Sequence, residues 1–428
     1  MDALVVEALL ASQVGRGARV TKYDRSPANR SPINFMLDHV VHELETPFDL
    51  FWVDGGLPEL FCIHGTDPNL VVFNTRYVEL VYLLRRLIQD PVLDDFRVEL
   101  AERTCLRVMA ELAVRHKGPQ WAIRAFLKSV VDETIMLADI PGAALMDLEM
   151  QPIGEAYVAV WFFGLAHELG HLCRPEPKAW ARRVIGPEAA RVSLERWLPQ
   201  LPMLPGMAQE VWRRVDGGDP GYCLSLEALA EEAFADWFAG LHVYNASRLI
   251  MHADGSEFDL ARYVREQCLC INIVSLLDRC KQVACVAEAG IDDERGRDEL
   301  LLRPVSYAVR RTMVRSQLDQ LVAIHLCGSE PLAPAHISQA EALVNEIETS
   351  LQPRLDQIEK GLAAAMRFAL FPGERSGELM RRYAQQKMAA SVDVHASGAV
   401  HLCDLIECFH GRVESAEALR RIATARRQ

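Results

Sequence analysis

No stretch of this chain is apolar for long enough to cross a bilayer. The longest uncharged run near its centre extends from Ala156 to Ala166, whereas a membrane-spanning helix needs about 20 apolar residues. The opening residues, Met1-Asp2-Ala3-Leu4-Val5-Val6-Glu7, lack the basic flank and clean apolar segment of a secretory signal. No membrane span is expected, and the expected location is cytoplasmic. Positive charge is also in short supply. Lys and Arg number 46 against 59 Asp and Glu, for a net charge of −13. A surface of that sign repels phosphate backbones and anionic lipids, so no nucleic-acid partner is expected. Paired CxxC spacing is missing despite 11 cysteines. Cys268-Leu-Cys270 and the Cys280/Cys285 pair fall in apolar helical sequence, where thiols pack as small hydrophobes. Their number points to a reducing compartment.

Strand-forming sequence is scarce. Only Phe48–Val53, Leu60–Ile63 and Leu70–Phe73 form short aromatic and β-branched runs separated by turn residues, which predicts a small antiparallel sheet. Ahead of them, 15–33 reads as a loop or extended arm, and a helix is expected from about Asn34 to Glu45. From Thr75 onward helical periodicity dominates. The expected fold is mainly α with this one small sheet and a helical C-terminal region. The organisation expected is an N-terminal arm and helix (1–45), a central domain with helical insertions (46–330) and a C-terminal helical region (331–428).

What is present in the apolar centre is His167-Glu168-Leu169-Gly170-His171. Histidines four residues apart on a helix share a face, so both imidazoles can reach one metal ion, and Glu168 stands beside them. Catalytic zinc normally has three protein ligands and a water. The metzincin arrangement would supply the third at once, but Leu172-Cys173-Arg174-Pro175-Glu176-Pro177 follows, without the required Gly or His. The alternative is a carboxylate on a second helix. Glu232-Ala233-Phe234-Ala235-Asp236 offers a Glu and an Asp one turn apart. The Glu would ligate, and the Asp would accept the free N–H of a ligating His, fixing its tautomer. Glu231 competes for that register but has Ala235, not an acid, four residues on.

His-Glu-Leu-Gly-His with Glu-Ala-Phe-Ala-Asp-Trp-Phe-Ala, its Glu232 lying 61 residues after His171, resembles the gluzincin zinc metallopeptidases. Among them it is most similar to a soluble, divergent form of the CAAX prenyl endopeptidase type. The resemblance implies a zincin-like α+β core in 46–330 and a Zn2+ cofactor held by His167, His171 and Glu232. It also implies Glu168 as general base and Asp236 behind the ligands. Asp67–Thr75 is similar to the strand-then-helix entry of that group, which makes its strand the expected peptide-binding edge. The long helical stretch 76–152 then intervenes, where the group has a short connection. Where the group carries a His-Pro pair near an Arg, this chain has Arg303-Pro304 followed by Arg310 and Arg311. Tyr307, Arg303 and His325 are therefore the candidates for supporting an oxyanion. As a set, Arg303, Arg310, Arg311 and Arg315 read first as a solvated or salt-bridged helix face.

The function expected from these residues is zinc-dependent endopeptidase cleavage of a protein or peptide substrate, gated or activated by a regulatory protein partner. Two alternatives stand beside it. One is a non-catalytic, zinc-containing interaction scaffold, and the other a regulator-cleaving protease of a stress or defence system.

Overall fold

The computed structural model describes residues 19–24, 32–44, 47–54, 60–63, 66, 68–116, 125, 128, 155–173, 185–200, 207–217, 225–253, 258–289, 294–328 and 330–370. Of the expected N-terminal arm and C-terminal helical region, 1–18 and 371–428 lie outside them. The strands are β1 (Arg19–Lys22), β2 (Phe48–Asp54), β3 (Leu60–Ile63) and β4 (Asn69–Asn74). The helices are α1 (Pro32–Val41), α2 (Thr75–Gln89), α3 (Arg97–His116), α4 (Glu155–Gly170), α5 (Pro187–Trp197), α6 (Met207–Gly217), α7 (Leu226–Ala253), α8 (Leu260–Ala289), α9 (Glu294–Cys327) and α10 (Pro334–Leu370). Over the described residues the chain is thus mainly helical, with one small sheet.

That sheet is mixed, not antiparallel as expected. Its order is β1-β2-β4-β3, with β2 and β4 parallel and the two outer pairs antiparallel. The cause lies in β4 itself. Asn-Leu-Val-Val-Phe-Asn is buried along its whole length, so it takes an interior place with both faces covered, as continuous apolar strands do. The less buried β3 is left at the edge. β1 comes from the segment read as a loop or arm and closes the other edge, with Val20 opposite Val53. Alternation sends Leu50, Val71 and Phe73 into the main core. Phe51, Val53, Leu70 and Val72 go to the opposite face.

α4 is apolar on nearly every side, the mark of a helix surrounded by others. Phe162, Phe163, Leu165, Ala166 and Leu169 are all buried. Around it stand α7, α8, α2, α1 and the strands β3 and β4. Caps set where several neighbours begin and end. Ser225 Oγ accepts the Ala228 N–H at 3.0 Å ahead of α7, and Asp259 Oδ1 accepts the Arg262 N–H at 3.0 Å ahead of α8. Arg97 is wholly buried and donates to the Leu87 and Asp90 carbonyls, satisfying the last turn of α2.

α10 lays a stripe of Ala340, Val344, Ile347, Leu351, Leu355, Ile358, Leu362 and Ala365 against α3, α8 and α9. Each Leu- or Ile-sized side chain so buried contributes about 1.5–3 kcal/mol. A second apolar cluster joins Leu194, Val211, Leu229, Val305 and Val309 from α5, α6, α7 and α9. It fixes α7 against α9, and the site depends on that pairing. Among the described residues no helix is long and apolar enough to cross a membrane.

Candidate metal centre

The site is built where α7 crosses α4. The crossing is close because Gly170 has no side chain. A Cβ there would stand 3.0 Å from Ala235 Cα and 3.3 Å from its Cβ. The chain turns immediately after Gly170, with Leu172 N–H bonded to the Leu169 carbonyl, and Cys173 pairs with Leu44. His171 is thereby held one step past the helix end and faces α7.

His167, His171 and Glu232 each offer a ligand atom, all within 4.8 Å of one another, and together they can hold a metal ion. The two imidazoles are 5.1 Å apart and nearly perpendicular, at 86°. Glu232 reaches both ε nitrogens, 3.5 Å from His167 and 3.8 Å from His171. Glu231 approaches only the far side of His171, 4.0 Å from Nδ1, so the geometry chooses Glu232 over its register competitor. Asp236 Oδ1 lies 2.8 Å from His167 Nδ1. A carboxylate there accepts, so Nδ1 carries a proton and Nε2 is the nitrogen left to ligate a metal ion.

Arg310 from α9 completes the group. Its Nε and one terminal nitrogen each stand 3.0 Å from an oxygen of Asp236 in a fork-on-fork contact. Its other terminal nitrogen is 3.2 Å from Glu232 and 3.6 Å from Asp278. Burial pushes against charge on all these groups, and their mutual attraction outweighs it. Arg310 and His167 hold Asp236 below the usual carboxylate range, and Arg310 and both histidines do the same for Glu232. Burial likewise disfavours a charged His167, yet Asp236 and Glu232 lift it to about 10. Surroundings that keep a proton on an imidazole to that extent favour any cation, and a divalent metal ion would take the proton's place.

A cavity of about 420 Å³ adjoins the triad. Glu168 lines it, and burial raises its carboxyl above the usual range. Leu60 and Cys62 of β3 form one wall, and Val274, Leu277, Asp278 and Lys281 of α8 another. Tyr77 lines it too, its hydroxyl filling the space a side chain at Gly164 would need. Burial and Glu168 push the Cys62 thiol up to about 12, so it stays protonated and is no nucleophile.

The three oxyanion candidates lie elsewhere. Tyr307 donates its hydroxyl to the Ile271 carbonyl at 3.0 Å and lines a small void behind Asp236 and Arg310, not the cavity. Its helix phase is right, but that carbonyl captures it. His325 is fifteen residues beyond Arg310 on α9, about 22 Å along the axis, hydrogen-bonded to Tyr244 at 2.9 Å and stacked on Phe258. Arg303 lies two turns before Arg310 and is not among the cavity-lining residues. The arginine set divides: Arg310 joins the site, while Arg311 and Arg315 pair with Glu348. The strand expected to be a peptide-binding edge is an interior one. β4 is flanked on both sides, and β3 carries the outer edge of the sheet beside the cavity. Comparison of the chain with protein-family models, with curated proteins and with solved structures finds no match.

Proposed function

We propose that this chain is a zinc-dependent endopeptidase of the gluzincin kind, with a zincin-like core formed by the β2–β4 segment, α4 and α7. The observation that carries the reading is the convergence of His167, His171 and Glu232 beside Glu168 in an accessible cavity, backed by Asp236 at 2.8 Å. Two neutral imidazoles and one carboxylate are a donor set suited to zinc, and a fourth position left for water is what separates catalytic from structural sites. Bound there, zinc would supply Lewis acidity toward a water and the scissile carbonyl.

The chain's own residues supply the remaining functions. Glu168 takes the proton of the attacking water and passes it to the leaving amine, and its raised pKa brings it closer to the working pH of a general base. Asp236 keeps His167 in the required tautomer. Arg310 holds Asp236 and Glu232 in one orientation. Tyr77, protonated at any physiological pH because burial raises it, is the phenolic donor on the cavity wall and takes the oxyanion-supporting role expected of Tyr307. An extended peptide adds to β3, the outer strand of the sheet among the described residues.

The test is metal content together with turnover. Purified protein should hold one zinc per chain and cleave a panel of unfolded proteins. Glu168→Gln should keep the zinc and lose activity by roughly a thousandfold, the scale on which a general base contributes. Protein without zinc, or equal cleavage by both forms, sinks the proposal.

A further inference from the structure

The wall opposite the ligands in sequence, α8, turns one stripe toward the cavity. Val274, Leu277, Asp278 and Lys281 fall at i, i+3, i+4 and i+7, a single helix face. Two of the four are apolar and one is already paired, since Asp278 faces Arg310 at 3.6 Å. Lys281 differs. No ion pair of its ammonium is found among the described residues, although its charge acts on the Glu168 carboxylate. The other cation on the cavity wall, Arg310, is taken up by Asp236, Glu232 and Asp278. Among the described residues lining the cavity, Lys281 is therefore the cation that keeps hydrogen-bonding capacity for a ligand. A half-buried ammonium in such a position gains most from an anion that arrives with the substrate, because a charge-assisted hydrogen bond is about twice as strong as a neutral one.

We infer that Lys281 is a specificity-determining residue that selects substrates carrying a carboxylate close to the scissile bond. This rests on the peptidase reading for its context, but recognition of the anion is separable from turnover. The carboxylate has two sources, an acidic side chain or the free C-terminus of a short peptide, and both present the same group to Lys281. The remainder of the wall suits the flanking part of such a ligand: Val274 and Leu277 offer apolar contact beside the charge. Specificity of this type is a difference between ligands, not a gain in overall affinity.

The experiment uses zinc-loaded full-length protein and three short peptide hydroxamates of one sequence, titrated by calorimetry. The first has a Glu side chain and an amidated C-terminus. The second has Gln and a free C-terminus, and the third Gln and an amidated C-terminus. One of the first two should bind about tenfold tighter than the third, and which one does so identifies the source of the carboxylate. Lys281→Met should close that gap, Lys281→Arg should restore most of it, and Lys281→Glu should reverse it. Equal binding of all three to the wild-type protein overturns the inference. So does a gap that persists in Lys281→Met, and so does failure of every hydroxamate to bind. Should the protein discriminate among the hydroxamates yet cleave nothing, the peptidase reading fails and the recognition role of Lys281 stands.

Discussion

Two helix crossings in this protein use the same device for different ends. Where α10 meets α3, a Cβ on Gly361 would overlap the Val98 carbonyl and stand 2.7 Å from Ala101 Cβ and 2.8 Å from the Glu102 amide. Where α7 meets α4, a Cβ on Gly170 would be 3.0 Å from Ala235 Cα. Both crossings are tight because one glycine is there. The first is walled by Ala101, Leu355, Ile358 and Leu362, all buried and apolar. The second encloses His167, Asp236 and Arg310. Burying such charges is costly even when they are paired, and an apolar replacement is often as stable. The α4–α7 crossing therefore carries a burial cost that its packing alone does not explain, whereas the α3–α10 crossing is set mainly by apolar packing.

The largest expected effect breaks the structural crossing. Gly361→Ala places a methyl against backbone that cannot yield cheaply. After the ~1 kcal/mol helix gain of Ala over Gly, the net loss should be about 2–3 kcal/mol. Urea denaturation should show the lower midpoint, while the metal bound per folded chain stays the same. An unchanged midpoint would mean the two helices can separate freely, and the contrast would lose its first member.

Next in size is a change at the functional crossing. Asp236→Asn removes the negative charge behind His167 and sets an NH2 group against either His167 or the Arg310 fork. Loss of such a partner typically costs 10–100-fold in metal affinity. Competition with a chelator should register a weakening of that order, and an unaltered affinity would deny Asp236 its part in the centre.

The two crossings also differ in how far they could be read from the residues alone. His167, Glu168 and His171 are legible because their spacing is local and helix geometry does the rest. Glu232 and Asp236 follow from the same one-turn rule, with the register ambiguity at Glu231 settled only by distance. The third helix is another matter. Arg310 sits among three neighbouring arginines with similar surroundings in sequence, and only the packing of α9 on α7 decides which of them faces inward. Asp278, Lys281 and Tyr77 have no local pattern at all, because the cavity gathers them from α8 and α2. Gly164 carried a faint signal, a glycine inside an otherwise apolar helix, whose reason is the Tyr77 hydroxyl. The sheet shows the same limit: β2, β3 and β4 are visible from their composition, but β1 lies in a segment that reads as a loop or arm, and β4 slips between β2 and β3 for reasons of burial that pairwise turn signals do not express. Gly361, the tighter of the two crossings, is unremarkable beside Ala363, Ala364 and Ala365.

The smallest expected effect separates the crossings most sharply. At Gly170 an added methyl meets Ala235 at 3.0–3.3 Å and Phe238 Cβ at 3.4 Å, contacts that a few tenths of an ångström of movement relieve. The stability change of Gly170→Ala should therefore stay below about 1 kcal/mol, well under that at Gly361. The movement it forces is not neutral for function. Gly170 precedes His171, and Ala235 lies between Glu232 and Asp236, so pushing α4 from α7 widens the distances between ligand atoms that now lie within 4.8 Å. Metal affinity should fall about threefold, with a near-normal urea midpoint. A variant that loses stability while keeping full affinity would show that the α4–α7 contact, like its counterpart on α10, serves the fold and not the metal.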